Sequence, residues 1–405
     1  MKKFLFLVAL VSLFAFYSCQ KPQENKKPYL IMLSLDGFRW DYPVYARTPV
    51  LDSLQKAGVI AESLKPSFPT KTFPNHYTIA TGLYPDHNGM VNNSFYAPGL
   101  KKFYRISDRE AVENGAFYGG EPIWVTAEKQ NVRSATFFWV GSEAKIAGMR
   151  PDYWYRYDKS VPFKSRVDSV KHWLSLPENE RPHLILWYYY QPDHIGHIEG
   201  PYGRKTIAMV EKLDSLLGYY FTQMRKLPEF DRLNFIITSD HGMTEISDDR
   251  VVLLDQFVDT ADIDIIMGGN PNFNIKVKPG KLEKVYRQLK NTPHIFAWKH
   301  DSVPQRLHYG HNPRTLDIIV VPYPGWSVLY GKKRKVGNGT HGYDNDFKDM
   351  HAIFYAAGPA FKKGFVHPTF ENVNIYPLIA KIMKLKPAPV DGKLENVETM
   401  LVVKN

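Results

Sequence analysis

The stretch YLIMLSLDGFRW, residues 29–40, decides the fold. Tyr29–Leu35 is a short apolar run that stops at Asp36-Gly37. Such a run, closed by a turn pair, reads as a buried strand of a parallel sheet, because strands covered on both faces show no polar alternation. Similar runs recur outward from it at Ser134–Val140, His183–Tyr190, Leu233–Thr238 and His351–Ala356. Helical patterns lie between them, at Thr48–Ala57, Phe163–Leu176 and Lys205–Lys226. Alternating strands and helices predict an α/β doubly wound, mostly parallel sheet with helices on both faces. Residues 250–335 break the alternation. They carry strand-like pieces at Ile263–Met267, Phe273–Lys278 and Thr315–Val321, a helix at Leu282–Leu289, and a basic run at Lys332–Lys335. This stretch is read as an inserted cap subdomain, with the basic run as a solvated loop. The main chain resumes at GTHGYDN.

Composition narrows the class. In 405 residues, 44% are hydrophobic and 23% charged, which excludes a wholly disordered chain. After the N-terminus no apolar run reaches the roughly 18 residues of a spanning helix. The net charge of +11 suits anionic partners. A single cysteine excludes an internal disulfide and any thiolate-rich metal site, whereas 14 histidines leave His and carboxylate as candidate ligands.

Residues 1–18 begin with Lys2 and Lys3 and continue into an apolar run from Phe4 to Tyr17, the layout of a secretory signal. Ser18-Cys19 resembles a bacterial lipoprotein signal. The expectation is therefore export with a lipid anchor on Cys19, facing the periplasm or the cell surface. Residues 19–28 form a polar tether, 29–388 the catalytic domain and 389–405 a tail.

The polar residues just past the strand ends carry the chemistry. In open α/β sheets, ligands bind beyond the carboxyl ends of the strands. Asp36 follows the first strand, Asp193 and His197 follow another, and Asp240-His241 follow a third. Asp193 and His197, spaced i, i+4, share one face of a helical turn. His341 adds an imidazole where the main sheet resumes. Each place alone also reads as a turn, a cap or a surface pair, but together they form the carboxylate and imidazole set of a zinc site. In PTKTFPNHYTIATGLYPDHNG, residues 69–89, a helix is expected to start near Pro74, with Thr72 at its N-terminus. Free N–H groups there favour a phosphate, although Thr72 alone reads equally as a helix cap. A threonine hydroxyl needs a base or a metal to become a nucleophile.

LSLDGFRWDY, PTKTFPNHYTIATGLYPDHNGMVNN, PDHIGH, SDHGM and GTHGYDN, in this order, resemble the nucleotide pyrophosphatase/phosphodiesterases of the alkaline phosphatase superfamily. The likeness runs from about Tyr29 to Lys384, and the chain resembles a minimal bacterial form of the family. The resemblance implies two zinc ions. Asp193, His197 and His341 would hold one. Asp36, Asp240, His241 and the Thr72 oxygen would hold the other. It also implies that Thr72 is the nucleophile and that Asn93 and the Thr72 N–H bind a phosphate oxygen. Phe73 and Tyr157 would stack on the base, which any base allows because each has a π face. The expected activity is release of nucleoside 5′-monophosphates through a nucleotidyl-threonine, with no stable nucleic-acid partner. The alternatives are a choline or glycerol headgroup phosphodiesterase, a phosphomonoesterase, or a surface module that binds polyanions through its charge.

Overall fold

The computed structural model describes residues 27–331 and 335–403. The signal-like segment, Cys19 and most of the tether lie outside the described residues, as do residues 332–334 of the basic run. Tyr29–Leu35 (β1) is an inner strand of an eight-stranded sheet. Its other strands, in chain order, are Val59–Ala61 (β2), Ser134–Phe137 (β3), Tyr153–Tyr155 (β4), Leu184–Tyr189 (β5), Leu233–Thr238 (β6), Phe354–Ala357 (β7) and Phe365–His367 (β8). The spatial order is β8-β2-β7-β6-β1-β5-β3-β4. Every pairing is parallel except those of β7.

β7 corrects one expectation. The run at His351–Ala356 was read as another parallel strand, but β7 lies antiparallel to both β6 and β2. Its first residue, Phe354, pairs with Thr238, the last residue of β6. The chain therefore enters the sheet at the edge where β6 leaves it and has to run back. The expected strand Ser134–Val140 also ends early, at Phe137, because Phe138 turns to a φ of +66°.

Helices cover both faces because β1 alternates. Leu30 and Met32 join a core with the helices Thr72–Thr81, Ile123–Lys129 and Ile375–Met383. Tyr29, Ile31, Leu33 and Leu35 join a second core on the opposite face, with Pro49–Ala57, Phe163–Leu174 and Arg204–Met224. Side chains of successive strand residues point to opposite faces, so one strand feeds both layers. This is the doubly wound α/β architecture that the alternation of strands and helices predicted. Residues past the last main-sheet helix also pack: Val397 and Met400 belong to the first core and are fully buried.

Residues 251–329 build accessory sheets of their own. Ile263–Gly269, Asn272–Val277, Ile318–Pro322 and Ile295–Lys299 form a four-stranded antiparallel sheet in that spatial order. Helix Leu282–Lys290 packs Val285 and Leu289 into its core with Ile275 and Ile318. The strand expected from Thr315 begins at Ile318 because Pro313–Thr315 takes a short 3-10 turn.

Candidate active site

Strand register gathers the candidate residues. Leu35 lies opposite Tyr189, and Ser34 opposite Thr238, so β1, β5 and β6 end together. Asp36, the helix that opens at Asp193, and Asp240-His241 leave from this common edge. The Asp193 N–H donates to the Asp36 carbonyl at 2.9 Å, and the Gly37 N–H donates to Asp240 Oδ1 at 3.1 Å. Gly37 has a φ of +66°, and a Cβ there would lie 2.8 Å from Asp193 Cβ. Only glycine allows these two loops to approach so closely.

The ligand-type atoms fall into two adjoining groups. In one, His241 Nε2 lies 3.4 Å from Asp36 Oδ1 and 3.1 Å from Asp240 Oδ2. In the other, Asp193 Oδ1 lies 3.3 Å from His197 Nε2 and 3.5 Å from His341 Nε2. His241 stands between them, its ring stacked on that of His341 with centroids 3.5 Å apart. It is close enough to complete a trio with Asp193 and His341 as well as one with Asp36 and Asp240. All seven residues singled out in the sequence as metal ligands, Thr72 included, thus meet around one point of the sheet edge.

Hydrogen bonds fix how the imidazoles face. His197, His241 and His341 each place Nδ1 2.8 Å from a backbone carbonyl, those of Gly339, Gly242 and Thr70. A carbonyl only accepts, so each Nδ1 carries the proton and each Nε2 lone pair faces the carboxylates. This arrangement holds a metal-ligating histidine in its tautomer and orientation. Three buried carboxylate oxygens, Asp36 Oδ1, Asp193 Oδ1 and Asp240 Oδ2, have no hydrogen-bond partner. A buried polar atom without a partner costs free energy, and a bound cation removes that cost. The donor set therefore fits a metal.

The electrostatics point the same way. Burial, then repulsion from Asp240 and Asp193, pushes the Asp36 carboxyl well above the usual range. Burial also acts to raise Asp240, but His241 and His76 beside it hold it well below. Asp193 follows the same pattern: burial is outweighed by His197, His341 and His241, and the carboxyl is lowered. Burial, followed by the neighbouring His241, keeps His341 well below its ordinary value and hence neutral. Burial opposes protonation of His197, yet Asp193 overcomes it and raises this imidazole. Asp36 is left as a carboxylate that its neighbours resist ionising, and a cation would relieve that conflict.

Thr72 sits at the meeting point. Its Oγ1 lies 3.2 Å from His241 Nε2, and because Nδ1 of that ring is the protonated nitrogen, the hydroxyl donates. The helix begins at Thr72 itself, two residues before the expected start at Pro74. The first backbone bond, from the Asn75 N–H to the Lys71 carbonyl at 3.1 Å, sets that earlier boundary. Pro74 has no N–H, and the Phe73 N–H donates to Asn93 Oδ1 at 3.0 Å. The Thr72 N–H is thereby left for an anion at the first turn. Thr72, Asn93, Asp36, Asp193, His197 and His341 line a cavity of about 340 Å³, with Phe73 and Tyr157 on its wall. Asp240 and His241 are fully buried behind it.

Two further residues complete the site. The Tyr188 hydroxyl donates to Asp36 Oδ2 at 2.5 Å. His76 donates from Nδ1 to the Thr72 carbonyl at 2.9 Å, lies 3.3 Å from Asp240 Oδ2, and is fully buried. His76 had a sequence signal, since it stands four residues after Thr72 on the same helical face. Tyr188 had none, because it is one aromatic among several at the end of its strand.

A family model described as type I phosphodiesterase / nucleotide pyrophosphatase matches residues 30–344. The human ectonucleotide pyrophosphatase/phosphodiesterase family member 5 is 35% identical over 397 residues, covering 98% of this chain and 82% of the relative. The human family member 1 is 36% identical over 386 residues, and the match spans 92% of this chain but 42% of that longer protein. The solved structure of human ectonucleotide pyrophosphatase/phosphodiesterase 5 superposes with a TM-score of 0.89 at 35% identity, covering 92% of this chain and 99% of the other. An inactive threonine-to-alanine form of the murine protein, in complex with AMP, superposes at 0.88 with 32% identity, covering 93% of this chain and 100% of the other.

Proposed function

This chain belongs to the type I phosphodiesterase / nucleotide pyrophosphatase family of the alkaline phosphatase superfamily, and on that premise we propose that it is a two-zinc enzyme that cleaves nucleotide diester or pyrophosphate bonds to nucleoside 5′-monophosphates. One observation carries the reading: Thr72 Oγ1 shares a sheet edge with three imidazole Nε2 atoms and three buried carboxylate oxygens that have no partner. Asp193, His197 and His341 would hold one zinc, and Asp36, Asp240, His241 and Thr72 the other. Zinc bound there supplies Lewis-acid stabilisation of charge on the attacking and departing oxygens.

The chain's own groups do the rest. The Thr72 N–H and the Asn93 amide bind a non-bridging phosphate oxygen. Phe73 and Tyr157 stack on the base and place the phosphorus over Thr72. Thr72 Oγ1 bonds to phosphorus as the bond to the departing oxygen breaks, and the threonine proton passes through solvent to that oxygen, which leaves as an alcohol or phosphate. Water then hydrolyses the nucleotidyl-threonine, releasing the monophosphate and restoring the hydroxyl. Tyr188 and His76 hold Asp36, Asp240 and the Thr72 carbonyl in place through the contacts described above.

Export and lipid attachment at Cys19 belong to the same reading and rest on the pattern of residues 1–19. Metal-replete protein assayed on a chromogenic thymidine 5′-diester, glycerophosphocholine and p-nitrophenyl phosphate tests the substrate class. The thymidine diester is expected to turn over fastest. Preference for either of the others would reject the nucleotide assignment.

A further inference from the structure

One hairpin of the accessory sheet touches the site. Strands Ile263–Gly269 and Asn272–Val277 are joined by Asn270-Pro271. This hairpin holds the residue that precedes each of the two groups proposed to handle phosphate. Lys71, just before Thr72, is 8% exposed and donates from Nζ to the Asn270 carbonyl at 2.8 Å. Asn92, just before Asn93, donates from Nδ2 to Asn272 Oδ1 at 2.7 Å, with a longer 3.4 Å contact to Asn274 Oδ1. The fit is close. A Cβ on Gly268 would lie 3.1 Å from Asn92 Nδ2, and one on Gly342, beside His341, would lie 2.5 Å from Lys71 Cε.

From Asn92 a chain of amides leads to the nucleophile. Asn92 Oδ1 accepts from the Asn93 N–H at 2.8 Å, and Asn93 Oδ1 accepts from the Phe73 N–H at 3.0 Å. The far end is anchored too: Asn274 Nδ2 donates to the Thr315 carbonyl at 2.9 Å and to the Tyr309 hydroxyl at 3.1 Å. Asn92, Asn272 and Asn274 are each at most 1% exposed. An asparagine side chain has a broad amide torsion, so a bond at each end of the Asn92 amide is what fixes its direction. Asn93 and Thr72 arrive from separate segments, and a misplacement of about 1 Å between them can cost roughly a hundredfold in rate.

We infer that the Asn270–Asn272 hairpin is a positioning element of the active site, which sets Asn93 against Thr72 through Asn92 and Lys71. Asn92 and Asn272 are positioning residues, since they act through Asn93. This role is additional to the proposed phosphodiesterase chemistry and rests on that reading.

The test uses the full chain, zinc-loaded, with Asn272→Leu, Asn92→Ala and the double variant. Each is measured for kcat and KM on the thymidine diester, for bound zinc and for Tm. The expected result is a kcat lower by about tenfold in Asn272→Leu and more in Asn92→Ala, with KM within about twofold and zinc content unchanged. Because both act on one chain of bonds, the double variant should be no slower than Asn92→Ala alone. Wild-type kcat in folded, zinc-loaded Asn272→Leu would overturn the inference, as would losses that multiply in the double variant. If Asn272→Leu does not fold, Asn272→Ser, whose hydroxyl is too short to reach Asn92, is judged by the same outcomes. Thr72→Ala in parallel separates the two levels. Full activity there removes the chemical reading itself, whereas an inactive Thr72→Ala beside an unaffected Asn272→Leu removes only the positioning role.

Discussion

Thr72 Oγ1 and His241 Nε2 lie 3.2 Å apart, although 169 residues separate them in the chain. The hydroxyl therefore sits against the imidazole that links the two ligand groups. Thr72→Ala is expected to lower kcat on a thymidine diester by roughly 10⁴-fold or more while leaving the fold intact. Thr72→Ser, which keeps an oxygen, should retain measurable turnover. Steady-state kinetics with circular dichroism as the folding control checks both.

Chelation should inactivate the enzyme, and zinc should restore it. The three carboxylate oxygens without hydrogen-bond partners also predict a loss of stability on metal removal, because their burial and the repulsion on Asp36 then act with no cation to offset them. A metal present at a thousand times its Kd contributes about 4 kcal/mol, so apo protein should melt several degrees lower. Asp193→Asn should reduce bound zinc toward one equivalent, measured by elemental analysis. Unchanged zinc content would contradict the ligand assignment.

Phe73 and Tyr157 face the same cavity as Thr72. Stacking is worth about 1–3 kcal/mol per base, so Phe73→Ala or Tyr157→Ala should lower kcat/KM on nucleotide diesters by roughly 5- to 150-fold. Rates on bis-p-nitrophenyl phosphate, which has no nucleobase, should change far less. Equal losses on both substrates would mean that the rings only shape the cavity.

His351 predicts an acid limb of stability away from the metal ligands. It is 5% exposed, its Nδ1 accepts from the Ser63 hydroxyl at 2.9 Å, and its Nε2 donates to the Asn345 carbonyl at 3.1 Å. Burial, then the nearby Lys348 ammonium, lowers its pKa to about 4 from 6.5. Between those values the unfolded chain binds the extra proton, so this contribution is complete above pH 6.5 and is lost as pH falls toward 4. The loss should be about 3 kcal/mol across the window. Denaturant melts of wild type and His351→Gln at pH 7, 6, 5 and 4 isolate it, because the variant lacks this component of the slope.

Much of the fold was legible in Tyr29–Leu35, whose residues are all buried as the run implied. The direction of β7 was not legible. An apolar run reads alike in both directions, and the reversal comes from where the chain enters the sheet. The site was readable to the same depth. Carboxylates and imidazoles stand just past apolar runs, which is a pattern of neighbouring residues. His76 was half visible through its spacing from Thr72, whereas Tyr188 and the asparagine chain were invisible, because their partners lie far away in sequence.

The sequence by itself determined the layered α/β plan, the ligand types and the absence of thiolate from the metal set, because these follow from composition and short-range pattern. The tertiary structure decided which atoms meet. It placed His241 between the two ligand groups and turned three Nε2 atoms toward the carboxylates through backbone carbonyls. It also brought the Asn270–Asn272 hairpin against Lys71 and Asn92. The physical reason is range. Hydrophobic periodicity is a property of adjacent residues, whereas hydrogen-bond geometry and carboxylate repulsion arise only when distant segments share one edge of a sheet.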